Sequence, residues 1–261
     1  MSRLDEILAH KREELAHTKK QRPLAQLEQS LKHRLPVRGF RQAVSRPGKL
    51  SLIAEVKKAS PSAGPIRPDA SAVEVAQAYS AAGAQAVSVL TDRRFFMGNI
   101  TDLVKVKEKV ELPVLRKDFL LEEYQLVEAA AAGADAALLI AAALKPAELV
   151  RLVRLAGDLS LDALVEVHDE RELGQALEAG AALVGINNRN LATFQVDLET
   201  THRLAGRVPP DRTLVSESGI RSRADAEKVR GWGAHAILVG EELMSAPDPG
   251  ARIKELMGDV D

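Results

Sequence analysis

Cysteine is absent from this sequence, which excludes disulfides, a thiolate nucleophile and any cysteine-ligated metal. Aromatic residues are scarce, at 3% of the chain, so the core has to be built from Ala, Val, Leu and Ile. Those residues suit buried parallel strands covered by alanine-rich helices. Neither sign of charge prevails, with 36 Lys and Arg against 37 Asp and Glu and a net charge of -1. Wholesale binding to nucleic acid or to an anionic membrane surface is therefore not expected, although a local cationic pocket stays open. No apolar run is long enough to span a bilayer, and the charged N-terminus lacks the apolar centre of a secretion signal. A soluble cytoplasmic protein is expected, without nucleic-acid or membrane partners.

What the chain does have is a repeat. A helical segment, a Gly-Ala step and an apolar run recur as AAGAQAVSVL at Gly83, AAGADAALLI at Gly133, EAGAALVGIN at Gly180 and GWGAHAILVG at Gly233. These glycines lie about 50 residues apart, too far for one strand–helix unit and right for two. Between them stand LSLIAEV, LPVLRKDF, LDALVEV and RTLVSES. Interleaving the two sets predicts eight strands, near 51–56, 86–90, 113–117, 136–140, 163–167, 183–187, 213–217 and 236–240. Helices are predicted between them, among others at 72–82, 122–132, 146–156 and 171–179, with the glycines ending helices. Strands alternating with helices imply right-handed crossovers and a parallel sheet. Eight units within 261 residues point to an α/β fold, a closed (β/α)8 TIM barrel, for which roughly 250 residues is typical. An open doubly wound sheet is the alternative, but no GxGxxG follows the first strand.

Residues 1–49 fall outside this repeat and are read as an N-terminal helical extension packed on a barrel of residues 50–261. Leu4, Ile7, Leu8 and Leu15 recur at helical spacing among charged residues. Two roles are open for the extension: a cap on the bottom of the barrel, or a cover over the active site.

Active sites of this fold form at the C-terminal ends of the strands. Alternation puts Glu55 and Lys57 on one face with Ile53. A carboxylate inside an apolar strand is costly without a partner. Glu55, Glu166 and Glu217 each stand at a strand end, with Lys57 and Lys117 as partners. One such pair could be a structural ion pair; three acids and two lysines at one mouth read as an acid–base site. Ser218-Gly219 and Gly240-Glu241 follow the last two strands, where barrels of this kind commonly bind phosphate through backbone N–H groups, and Ser60 could add a hydroxyl. The plain reading of those glycines is a pair of tight turns. His168 is expected to be solvated or to cap a helix, with a role as base as the alternative, and Trp232 and Tyr79 to be packing residues. Phe96 and Phe119 are open between packing and a wall for an aromatic substrate. The six histidines show no paired spacing, so no metal is expected.

With these strand ends laid out, the sequence resembles the indole-3-glycerol phosphate synthases. The motifs are IAEVKKASPS at 53–62, SVLTDRRFFMG at 88–98, LPVLRKDF at 112–119, LVEVHDE at 164–170, VGINNRNL at 184–191, LVSESGI at 214–220 and ILVGEELM at 237–244. The resemblance implies a carboxy-lyase of tryptophan biosynthesis that needs no cofactor and acts on a small phosphorylated substrate. It implies Lys117 as general acid for ring closure with Glu166 beside it, and Lys57 and Glu55 as acid and base for dehydration. It further implies Asn187 and Glu217 on the substrate hydroxyls, Arg189 on the carboxylate, and Phe96, Phe119, Leu138 and Leu191 around the aromatic ring. The phosphate falls to Ser60, Ser218, Gly219, Gly240 and Glu241, the last two through backbone N–H.

Two positions depart from the family pattern. Ala63 replaces a lysine common in the SPSKG stretch, and Glu242 replaces a common serine, so its carboxylate is expected to point outward in the first turn of a helix. The related phosphoribosylanthranilate isomerases use a cysteine base, which this chain lacks. A non-catalytic phosphosugar-binding barrel would not need three buried carboxylates facing an anionic ligand. The charged outer helix faces suggest a monomer.

Overall fold

A computed structural model describes residues 3–190 and 193–258. Eight parallel strands close into a barrel: β1 (Ser51–Val56), β2 (Ala86–Leu90), β3 (Val114–Lys117), β4 (Ala136–Ile140), β5 (Asp162–Val167), β6 (Leu183–Asn187), β7 (Thr213–Glu217) and β8 (Ala236–Val239). Each pairs with its sequence neighbours, and β1 closes the ring against β8, with Ser51 opposite Ala236. The predicted strands match these bounds to within a residue.

Period-two alternation sorts each strand into two faces. Leu52, Ala54 and Val56 point outward to the helices, while Ile53 points inward with Leu115, Leu138, Leu164, Val215 and Leu238. The small Ala86, Ala136 and Ala236 share that interior, so the centre is packed with aliphatic side chains and is no channel.

Helices return the chain after each strand: α4 (Ala72–Ala81), α5 (Ile100–Lys109), α6 (Glu123–Ala131), α7 (Pro146–Asp158), α8 (Glu170–Glu178), α9 (Glu199–Ala205) and α10 (Arg223–Gly231). After β8 the chain forms α11 (Glu241–Ser245) and α12 (Pro249–Met257). Gly83 and Gly133 end α4 and α6 at φ 89° and 85°, a left-handed turn that a residue with a Cβ rarely adopts. Local chemistry starts the helices as well: Ser71, Asp169 and Ser222 each accept the backbone N–H three residues on.

The chain ahead of β1 forms three helices, α1 (Arg3–Gln21), α2 (Leu24–Leu31) and α3 (Phe40–Val44). The two roles left open for this segment are taken by different parts of it. Phe40 and Val44 of α3 enter the bottom of the barrel and pack with Ile53, Ala86 and Leu115. The backbone N–H groups of Arg38 and Arg41 are anchored there by Asp135 (2.6 Å) and Asp162 (2.8 Å), at the starts of β4 and β5. The other end belongs to α1, whose Lys11 Nζ is buried between Asp92 and Asp118, past the ends of β2 and β3 (2.8 and 2.9 Å). Helix α2 lies against α6, where Leu27 packs with Tyr124 and Val127.

Candidate active site

The strands end around an open cavity whose floor is the apolar barrel interior. Its chemistry begins on β1. Glu55, one step above Ile53, is almost fully buried, and Lys57 Nζ lies 3.2 Å from its Oε1. Ser88 of β2 donates to Glu55 Oε2 at 3.3 Å, and the Tyr79 hydroxyl donates to the Glu55 backbone oxygen at 3.1 Å. Tyr79 packs as expected and at the same time fixes the strand that carries Glu55.

Opposite, Lys117 at the end of β3 reaches across the mouth to β5 and β7. Its Nζ donates to Glu166 Oε2 (2.8 Å) and to Glu217 Oε2 (3.1 Å). Asn187 of β6 donates from Nδ2 to Glu166 Oε1 at 3.0 Å. Burial by itself would push the Lys117 ammonium down, but Glu166, Glu217 and Glu55 outweigh it and hold it well above the ordinary lysine range. The two acids part company. Burial tends to raise Glu166, yet Lys117 and then His168 draw it well below the carboxylate range. Glu217 has Lys117 alone to offset burial and the charge of Glu166, and is pushed up to about 7. Its Oε1 is buried without a hydrogen-bond partner. One lysine thus separates an ionised carboxylate from one that takes up a proton near neutrality.

Glycines make the room these acids occupy. A Cβ on Gly185 of β6 would overlap Glu217 Oε1, and one on Gly240 would stand 2.6 Å from Glu55 Oε1. The Phe96 and Phe119 rings stand 6.1 Å apart on one wall, with Leu138 beneath them. Arg189 lies on the wall shared with a second, adjoining cavity, where it donates to Ser62 Oγ (3.3 Å) and lies 3.5 Å from Glu241 Oε2.

That adjoining cavity is lined by Ser218, Gly219, Gly240 and Glu241. Ser218 and Gly219 both have positive φ, 65° and 84°, so consecutive peptides turn through left-handed backbone after β7. Asn188 holds this turn from behind: Nδ2 donates to Ser216 Oγ and to the Ser218 backbone oxygen, each at 3.0 Å. Glu242 sits at the rim, where it accepts from Arg252 (3.2 Å) and lies 3.6 Å from Arg221. Ser60 is buried in the loop after β1, where residues 59–60 and 64–65 form a small hairpin, and its Oγ accepts from the Ala63 N–H at 3.1 Å.

The structure therefore brings every residue that the resemblance assigns to the substrate to one of these two cavities, apart from Leu191, which lies outside the described residues. Two groups come as additions. Arg3, Leu4 and Ile7 of α1 line the main cavity, as does Phe194 from the loop after β6. His168 requires a correction. It is neither solvated nor a cap, since Asp169 caps α8; its ring is held between Glu166 (3.3 Å) and Glu172 (3.0 Å). A carboxylate four residues further on, in the first turn of a helix, was the sequence signal for that placement. Among the described residues no group of three or more His, Asp or Glu is placed to hold a metal ion.

A closed barrel with two lysines and three carboxylates converging at its mouth, beside a left-handed turn after β7, has the form of a barrel enzyme whose mouth can exchange protons with a bound molecule. The chain belongs to the indole-3-glycerol phosphate synthase family, whose model matches residues 4–256. The indole-3-glycerol phosphate synthase of Polaromonas sp. is 48% identical over 258 residues, covering 98% of each chain. That of Chlorobium luteolum is 48% identical over 249 residues, covering 95% of each. Among solved structures, a 3-hexulose-6-phosphate synthase covers 81% of this chain and 100% of its own at TM-score 0.63 and 18% identity. A thiamine phosphate pyrophosphorylase from Pyrococcus furiosus covers 79% of this chain at TM-score 0.59 and 18% identity. These two likenesses speak to the barrel alone.

Proposed function

We propose that the chain converts 1-(2-carboxyphenylamino)-1-deoxyribulose 5-phosphate into indole-3-glycerol phosphate, carbon dioxide and water, with Lys117 as the acid of ring closure. The observation that carries this reading is Lys117 clamped between Glu166 and Glu217, opposite the Lys57–Glu55 pair in the same cavity. The substrate's anilino ring carbon attacks the ketone carbon, and Lys117 gives a proton to the ketone oxygen as the carbon–carbon bond forms. Carbon dioxide leaves with the electron pair returning to the ring, and Arg189 holds the carboxylate until then. Lys57 protonates the departing hydroxyl, which leaves as water, and Glu55 removes the proton that completes the indole. Asn187 and Glu217 orient the substrate hydroxyls, and Phe96, Phe119 and Leu138 enclose the aromatic ring. Ser60, Ser218, Gly219 and the backbone N–H groups of Gly240 and Glu241 hold the phosphate.

In this reading residues 1–49 serve the barrel of residues 50–261 at both ends. A cytoplasmic monomer is the reading that the charged outer helix faces support. Incubation with that substrate in the presence of a chelator, followed by indole fluorescence, tests the reading. Indole from the wild type, cut by orders of magnitude in Lys117→Met, is the expected result. Tight binding of substrate with no indole would overturn it in favour of a binding protein.

A further inference from the structure

An ionisable ring that does not itself line the cavity lies against Glu166. His168 Nε2 lies 3.3 Å from Glu166 Oε1, and its Nδ1 lies 3.0 Å from Glu172 Oε2, which also accepts the His168 backbone N–H at 2.9 Å. The Nε2 contact is close enough for an ion pair but too bent for a hydrogen bond, so that nitrogen is buried with no other partner. Glu172 is anchored in the first turn of α8, and Arg171 lies 3.4 Å from its other oxygen. Charges therefore alternate in one line from the helix to the cavity: Glu172, His168, Glu166, Lys117, Glu217.

We propose that His168 is a positioning residue of the reaction, a charged ring that keeps the Glu166 carboxylate ionised and aimed at Lys117 while Lys117 gives up its proton. This rests on Lys117 acting as the acid of ring closure. When its proton passes to the ketone oxygen, Lys117 becomes a neutral amine and the cluster loses one positive charge. Among the described residues, Glu166 would then have no cation beside it except His168. The imidazolium offsets the negative potential that holds the proton on Lys117, and so makes the lysine a better acid. Glu166 and Glu172 are the charged groups that act on the ring, and between them they raise His168 to about 10 against the pull of burial. At neutral pH the ring therefore carries its charge.

The test combines two variants with a direct view of the ring. His168→Gln keeps a side chain able to hydrogen-bond but removes the charge, and is expected to lower kcat by about tenfold or more with KM changed less than about threefold. Glu172→Gln leaves the ring but removes one of its two carboxylates. Its kcat is expected to acquire a descending limb as pH rises through the neutral range, absent from both the wild type and His168→Gln. Ring carbon signals of wild-type His168, assigned by their loss in His168→Gln, are expected to stay those of an imidazolium through pH 8. Wild-type kcat in His168→Gln, or a ring that titrates near 6.5 in the wild type, would overturn the proposal. A wild type that forms no indole would overturn the reaction itself, and the ring signals read His168 independently of that result.

Discussion

A methyl group at Gly185 would compete for space with Glu217 Oε1, and Leu164 Cδ1 at 3.2 Å closes the other side. Gly185→Ala is therefore expected to fold, because a flexible carboxylate can swing away, but to pull Glu217 off Lys117. A displacement on the order of 1 Å in such a cluster can cost about 10²-fold, and that loss is expected in kcat/KM with circular dichroism unchanged. Full activity in Gly185→Ala would show that the Glu217–Lys117 contact is dispensable. Glu217 itself makes a sharper prediction. Its carboxyl is pushed up to about 7 by burial, so in the free enzyme it changes charge in the neutral range. If the anion is the form that accepts the substrate hydroxyls, kcat/KM rises with pH through about 7, and Glu217→Gln lacks that limb. An identical limb in Glu217→Gln would assign the ionisation to another group.

The element that most exposes the balance of charge and burial is α1. Its Lys11 is 2% exposed and binds Asp92, Asp118 and Glu14, while Asp118 also meets Arg116 at 3.4 Å and Thr91 at 2.6 Å. Lys11 is held above its usual range despite burial, chiefly by Asp118 and Asp92. Lys11→Met would leave two buried carboxylates short of a partner, a loss of about 3–5 kcal/mol when the helix stays docked. A lowered urea midpoint, with faster amide exchange along 3–21, is the expected outcome; unchanged exchange there would mean that apolar contacts alone seat α1. That a helix begins the chain was legible from Leu4, Ile7, Leu8 and Leu15, yet which end of the barrel it covers was not. Amphipathicity tells a helix to bury one face but carries no address, and the address here is Lys11 meeting two acids more than eighty residues away. The strands were legible for the opposite reason: each is a local apolar run, and four of them follow a glycine that ends the preceding helix. The carboxylates could be found because a charge at a strand end is anomalous in its immediate neighbourhood. The placement of His168 was not legible because its environment comes from Glu166, two residues back on the same face, and Glu172, four residues on in a helix, and neither is unusual alone.

For the molecule as a whole, the same cluster makes stability depend on pH. His168 keeps its proton to about 10 when folded but has an ordinary value of 6.5. Its stabilisation is therefore complete below about 6.5 and disappears as pH rises through about 10. Glu217 works in the same direction at lower pH: its folded value of about 7 exceeds the ordinary 4.5, so the fold loses stability from this group as pH climbs from 4.5 to 7. Glu166 opposes them, because its folded value lies below 4.5, and what it contributes is present above that pH and lost on acidification. The thermal midpoint of the wild type should accordingly decline between pH 6.5 and 10. The decline in His168→Gln should be shallower, so the two melting curves draw together as pH rises. Curves that stay a constant distance apart over that range would mean that the His168 ring contributes by packing, with its charge playing no part in holding β5 and α8 together. Convergence would instead tie the stability of this side of the barrel to the charge line that runs into the active site, and the same proton would then serve the fold and the reaction.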